Sequence, residues 1–283
     1  MSDWLDRRVI AFAHQGGSFE GPSSTIYAIE RAIANGATAI ELDVHATSDQ
    51  SLVVCHDATV DRTTNGRGAI AATSLAQLRE LDNAYWFVPG ETVSPGRVDE
   101  DYPWRGRAPG DRRFAIATLE EVVTAFPGVL LNLDIKQSAP EVPAYEALLA
   151  REIERLECRS SVIVASFIDS AIEAFRRVAP TVATSAATEE TARFYFSQLE
   201  GHAVVPPVAA LQVPATYGDV TVVDEGFVTA AHRAGVAVHV WTINDQSEMN
   251  RLLDLGVDGL VSDRPSTLAE TIARRGLTWD GTG

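Results

Sequence analysis

Cysteine is scarce in this chain: Cys55 and Cys158 are the only two among 283 residues. Two cysteines build no disulfide framework, and the usage fits a reducing compartment, with the cytoplasm as the default. Long apolar runs are also missing. No segment approaches the roughly 20 consecutive apolar residues that span a bilayer, so no integral membrane segment is expected. The N-terminal MSDWLDRRVIAFAH places acids before its basic pair and has only a short strand-like apolar run, so it reads as neither signal peptide nor anchor. Positive charge is in deficit, with a formal net charge of −16 and a pI near 4.7. That argues against nucleic acid or an anionic membrane as a standing partner. It leaves room for an anionic small molecule, because a bound cation and one or two local Lys or Arg reverse the sign inside a cleft. No GxGxxG follows the first strand-like run, which argues against a doubly wound dinucleotide-binding sheet. No linker or composition shift marks a second domain.

What is present is an ordinary globular composition, 46% hydrophobic and 22% charged, in which strand and helix patterns alternate. Apolar strand-like runs are predicted over 8–13, 38–44, 51–56, 128–136, 161–166, 181–185, 208–213, 236–242 and 258–262. Helices are predicted over 24–35, 74–81, 118–126, 141–157, 169–178, 188–199, 225–234, 245–255 and 266–275. The connection between the second and third runs is too short for a crossover helix, so those two should form a hairpin. Counted as one slot, the hairpin leaves eight units of an α/β fold, a (β/α)8 TIM barrel, which closes at about 250 residues plus insertions. Residues 82–113 have no sustained period and are rich in Gly, Pro and aromatics. They read as an insertion that either covers part of a site or packs on the barrel as a surface flap.

In such a barrel the site is built from the C-terminal ends of the strands. Those ends supply His14, Glu41 with Asp43, Asp134 with Lys136, Ser166, and Trp241 with Asn244. Three carboxylates at one mouth repel one another unless a cation sits between them, and all-oxygen ligands favour Mg²⁺ or Ca²⁺. The alternative is that the carboxylates only bridge barrel cations such as Lys136. A hairpin centred between Asp49 and Gln50 would set Asp43 opposite His56. Two histidines near a hard cation suit acid–base chemistry on a phosphoryl group. Asp57 would fix the His56 tautomer, Lys136 would contact a phosphate oxygen, and Trp241 and Asn244 would shape the organic end of a substrate. The paired Gly16-Gly17 would allow close backbone approach to a ligand. His45 is expected at the rim without chemistry, and Ser166 has no base in view.

AHQGG at 13–17, PSST at 22–25, IELDVHATSDQ at 40–50, VVCHD at 53–57 and VDRTTNGRG at 60–68 resemble the first half of the glycerophosphodiester phosphodiesterase family. LNLDIK at 131–136, VWTIN at 240–244 and GVDGLVSDRP at 256–265 resemble its second half. The resemblance implies metal-dependent hydrolysis of a small-molecule glycerol phosphodiester to glycerol phosphate and an alcohol. It implies His14 and His56 as the acid–base pair, Glu41, Asp43 and Asp134 as ligands of a divalent metal (Mg²⁺ or Ca²⁺), and Lys136 as a phosphate contact. The chain departs from the family pattern at Gln15, where the family usually has Arg, at Ser23 and Ser24, where it has Glu and Asn, and at Asp134, where it has Glu. Losing one cation and one anion roughly preserves site charge, which implies a divergent active enzyme. The rival expectations are a bulkier lysophospholipid substrate with residues 82–113 as an apolar wall, and a non-catalytic binder of phosphorylated metabolites.

Overall fold

The computed structural model describes residues 4–137 and 142–279. Glu141, the predicted start of one helix, lies outside the described residues, as do residues 1–3 of the N-terminal segment. Eight parallel strands form the barrel: Ile10–His14, Ala39–Ala46, Leu130–Ile135, Val162–Ala165, Ala183–Thr184, Ala210–Pro214, Ala237–Trp241 and Gly259–Ser262. The first and eighth pair directly, with Ile10 against Gly259 and Phe12 against Val261. The fifth and sixth meet more thinly, through a single bridge of Ser185 with Ala210 and two hydrogen bonds, Ala186 N to Ala210 O and Ala209 N to Thr184 O, both 2.9 Å. Among the described residues no helix is long and apolar enough to cross a membrane.

Strand alternation decides what faces where. In the second strand Ile40, Leu42 and Val44 point outward into a core shared with Ile29, Leu133, Ile135 and Tyr145, which leaves Glu41, Asp43 and His45 on the axial face. Each such fully buried aliphatic side chain stabilises the fold by about 1.5–3 kcal/mol. A second core under the other half of the barrel gathers Leu211, Val238, Met249, Leu252 and Leu268. Trp4, Ile10, Phe12 and Val261 plug the N-terminal end of the barrel. There the eighth strand must be bare: a Cβ on Gly259 would lie 2.9 Å from Phe12 and 3.0 Å from His239.

Helix starts follow their caps. The Thr25 side chain accepts from Ala28 N and opens Ile26–Ala34, Thr118 and Glu121 form a reciprocal capping box before Leu119–Ala125, and Asp245 caps Gln246–Asp254. The hairpin is real but its register is not the expected one. Leu52–Val54 pairs antiparallel with the second strand, Val44 against Val54, His45 against Val53 and Ala46 against Leu52. Continued one step, this ladder sets Asp43 beside Cys55, whose N–H donates to the Asp43 carbonyl at 3.0 Å. His56 is therefore not opposite Asp43. The cause is the turn: Thr47 N bonds Ser51 O at 2.9 Å and Gln50 takes φ 62°, so an odd-numbered loop centres the hairpin on Asp49 itself.

Residues 82–113 have two kinds of surroundings. Most of the aromatics pack away from the mouth: Trp104 and Phe114 gather on Tyr27 of the first helix, and Tyr85, Trp86 and Tyr102 surround the Arg105 guanidinium. A small hairpin, Phe87–Val88 with Thr92–Val93, overhangs the mouth, its tip held by Gly90 N to Phe19 O at 2.8 Å.

Candidate active site

The parallel register of the second and third strands sets Asp43 beside Asp134. With Glu41, they bring one carboxylate oxygen each to within 4.8 Å of one another. Lys136, the only lysine in the chain, lies 2.9 Å from Asp43 Oδ1 and 2.8 Å from Asp134 Oδ2. The lysine thus bridges two of the acids, but one cation does not balance three. Asp43 Oδ2 and Asp134 Oδ1 are buried with no hydrogen-bond partner. Burial first, then the charge of Asp43, pushes the Glu41 carboxyl up to about 8. Burial also lifts Asp134 to about 6 against the opposing pull of Lys136. Buried, partnerless oxygens on clustered acids, two of them with raised carboxyls, are what a divalent cation satisfies, so the donor set fits such an ion.

Two imidazoles stand beside this cluster. Their ring centroids are 6.4 Å apart, with the planes nearly perpendicular at 87°. His14 Nδ1 is 2.6 Å from Asp263 Oδ1. Its Nε2 lies 3.7 Å from Glu41 Oε2 and 3.2 Å from Gln15 Nε2. Burial works against protonation of His14, but the Asp263 hydrogen bond and the charges of Glu41, Asp263 and Asp43 outweigh it and lift the ring to about 9. His56 Nδ1 is 2.6 Å from Asp57 Oδ1, and Arg62 grips the same carboxylate through Nε at 2.6 Å and Nη2 at 3.2 Å. Each ring is thus held through Nδ1 by a braced carboxylate, which leaves Nε2 for the mouth.

Asp263 carries no role in the sequence reading. It accepts from Ser18 Oγ at 2.5 Å and from Asn244 Nδ2 at 2.7 Å as well as pairing with His14. Burial opposes its ionisation, yet these bonds hold its carboxyl below the usual range. Its position immediately after the eighth strand, inside GVDGLVSDRP, was the available signal. Asn244 accordingly braces Asp263, and its Oδ1 accepts from Ser262 Oγ and Asp263 N. Trp241 packs edge-on against the exposed Phe167, ring centroids 5.5 Å apart, and Lys136 Nζ lies 5.5 Å from the Phe167 ring. His45 is buried with Nε2 3.4 Å from the His56 carbonyl. Ser166 donates to the Ile135 carbonyl and accepts from Ile168 N, a strand-end cap.

The loop after the first strand explains the unusual Gln15 and Ser23. They touch: Ser23 Oγ donates to Gln15 Oε1 at 2.6 Å, a hydrogen bond between two neutral groups. Gln15 N donates to the Glu41 side chain at 3.2 Å and to its carbonyl at 2.9 Å. The glycines that follow are closely packed. A Cβ on Gly17, at φ 91°, would fall 2.6 Å from Pro265, and one on Gly16 would press on Ile29 and Ala28. Between this loop, the histidines and the overhanging hairpin lies a cavity of about 220 Å³ lined by polar groups and by Phe87 and Val93. It is not the wholly apolar wall expected for a lipid chain.

Known proteins resemble this chain over most of its length. The chain is 29% identical over 269 residues to a glycerophosphodiester phosphodiesterase of Caldanaerobacter subterraneus, covering 95% of this chain and 100% of the relative. It is 30% identical to one of Bacillus subtilis, covering 91% and 84% of the two chains. A solved glycerophosphoryl diester phosphodiesterase domain from Mycobacterium tuberculosis shares the fold, with TM-score 0.77, 21% identity, and 94% of this chain and 99% of that one covered. The model of the glycerophosphoryl diester phosphodiesterase family matches residues 14–267, from the first histidine of the mouth into the last helix. With barrel, acid cluster and paired histidines in one span, the chain belongs to the glycerophosphoryl diester phosphodiesterase family.

Proposed function

We propose that this protein is a cytoplasmic phosphoric diester hydrolase that cleaves glycerophosphodiesters to glycerol phosphate and an alcohol. The observation that carries the proposal is the pair of imidazoles, 6.4 Å apart and each tied through Nδ1 to its own carboxylate, beside three clustered acids. In this reading one histidine removes a proton from the attacking nucleophile and the other protonates the leaving alcohol oxygen, and the overall reaction consumes one water, whose oxygen ends on the glycerol phosphate. Asp263 and Asp57 hold the two rings in the tautomer that leaves Nε2 facing the substrate. Glu41, Asp43 and Asp134 would hold a divalent cation, Mg²⁺ or Ca²⁺. When bound, that cation neutralises charge on the phosphoryl group. Lys136 contacts a phosphate oxygen from its place between Asp43 and Asp134. Gln15 contributes a neutral amide to the same phosphate, and Trp241, with Phe167, borders the organic end of the substrate. Residues 82–113 act as an insertion within one catalytic unit that covers part of the mouth.

The test is an assay of the purified protein with Mg²⁺, Ca²⁺ or Mn²⁺ against glycerophosphodiesters, with detection of released glycerol phosphate. Turnover is expected with metal and is abolished by a chelator, and Asp43→Asn weakens metal affinity at least tenfold by calorimetry. Absence of turnover with every metal would remove the reading, and turnover unaffected by chelation would remove its metal arm.

A further inference from the structure

The cavity of about 220 Å³ is roofed by the hairpin of residues 87–93, and one residue of that hairpin is unlike its neighbours. Thr92 lines the cavity with its backbone at φ 70°. A β-branched residue in the left-handed region is strained, and glycine would take that conformation without steric cost, as Gly90 does two positions earlier at φ 83°. The hairpin holds Thr92 there by its pairing with Val88 and by the bond from Gly90 to Phe19.

The other hydroxyls of the cavity wall are engaged within the protein: Ser18 with Asp263, Ser23 with Gln15, and Thr63 with Asn83. The Thr92 hydroxyl has no hydrogen bond to any described residue. The two charged groups on the wall besides the histidines are likewise committed, Asp263 to His14, Ser18 and Asn244, and Arg62 to Asp57. The cavity therefore offers a free hydroxyl but no free carboxylate, and one aromatic, Phe87, rather than a cage for a cation.

We propose that Thr92 is a specificity-determining residue whose hydroxyl hydrogen-bonds a hydroxyl of the alcohol substituent seated in this cavity. The site then favours diesters of an uncharged polyol over diesters of a quaternary ammonium alcohol. The inference rests on the glycerophosphodiesterase reading above and adds to it the class of alcohol. Strain kept at a position that faces a site is consistent with a functional demand on that side chain.

The experiment compares kcat/KM for glycerophosphoglycerol and glycerophosphocholine in the wild type, T92V and T92G. The wild type should prefer the polyol diester by about fivefold or more, the range of one hydrogen bond between uncharged groups. T92V keeps shape and branching but lacks the hydroxyl, and should lose that preference. T92G should also lose it while melting at or above the wild-type temperature, since the backbone strain is relieved. A T92V or T92G enzyme that keeps the wild-type ratio overturns the proposal, as does a wild type with no preference for the polyol. A wild type that turns over neither diester instead strikes the underlying reading, and this inference falls with it.

Discussion

The barrel sets a histidine toward each of its ends, His14 partly exposed and His239 buried, and treats the two in opposite ways. His14, at the mouth, loses hydration but gains Asp263 at 2.6 Å and the field of Glu41 and Asp43, and its affinity for a proton rises, to about 9. His239, on the seventh strand near the plugged end, is packed against Phe12 and Trp4 with ring centroids 5.0 and 6.1 Å away, and only the Gln212 amide, at 3.3 Å, is near its Nδ1. Burial alone pushes that ring down to about 3. The same side chain in the same barrel thus has its proton affinity raised or lowered according to whether a carboxylate is built beside it. The plugged end serves packing, and its unpartnered Nε2 is an imperfection the core tolerates. At the mouth, unpartnered polar atoms and raised carboxyls stand in one cluster.

The comparison breaks most visibly when the mouth histidines are removed. His14→Ala and His56→Ala should each lower kcat by about 10²–10⁴ while the melting temperature stays near the wild-type value. Steady-state kinetics beside a thermal melt would check this, and retained activity in either variant would end the paired-histidine assignment.

A smaller effect should follow from Asp263→Asn, which keeps the shape but removes the charge that orients His14. We expect kcat to fall about a hundredfold with little change in KM, the pattern of a group that positions rather than binds. A rise in KM at constant kcat would instead make Asp263 part of the binding surface.

The mildest test concerns the other end. Between the unfolded histidine pKa, about 6.5, and the folded value of about 3, the unfolded chain binds one more proton than the folded one. Stability contributed by the neutral ring is therefore complete above about 6.5 and is lost as pH falls toward 3. Going from pH 7 to 4.5, the wild type should lose about 2.5 kcal/mol more than His239→Leu, measured as the double difference in urea-unfolding free energies. Equal losses in both proteins would mean that His239 is protonated or hydrated in the folded state.

Local pattern made much of this molecule legible. The helices over 169–178 and 188–199 have the predicted limits, and the Thr118 to Glu121 capping box is present. The hairpin was inferred from a connection too short for a crossover, and eight strands remained once it was counted as one slot. Its register differs by one residue from the expected one, because register depends on how Thr47 and Ser51 close the turn, which alternation does not encode.

Glu41, Asp43, Asp134, Lys136 and His14 are legible as axial, mouth-side residues because a period of two and a position at a strand end are properties of short stretches of chain. Those properties were determined by the sequence alone: which side chains face the axis, which strands carry them, and that acids and histidines gather at one mouth. Tertiary structure alone decided who touches whom there. Asp263 reaches His14 across a separation of 249 residues because the first and eighth strands are neighbours in the closed barrel. Gln15 meets Ser23 because the loop after the first strand folds back on itself, and Thr92 is held over the cavity because its hairpin, from another part of the chain, packs on that loop. Periodicity specifies the face a residue takes on its own strand; the partner across the gap is set by how the sheet closes.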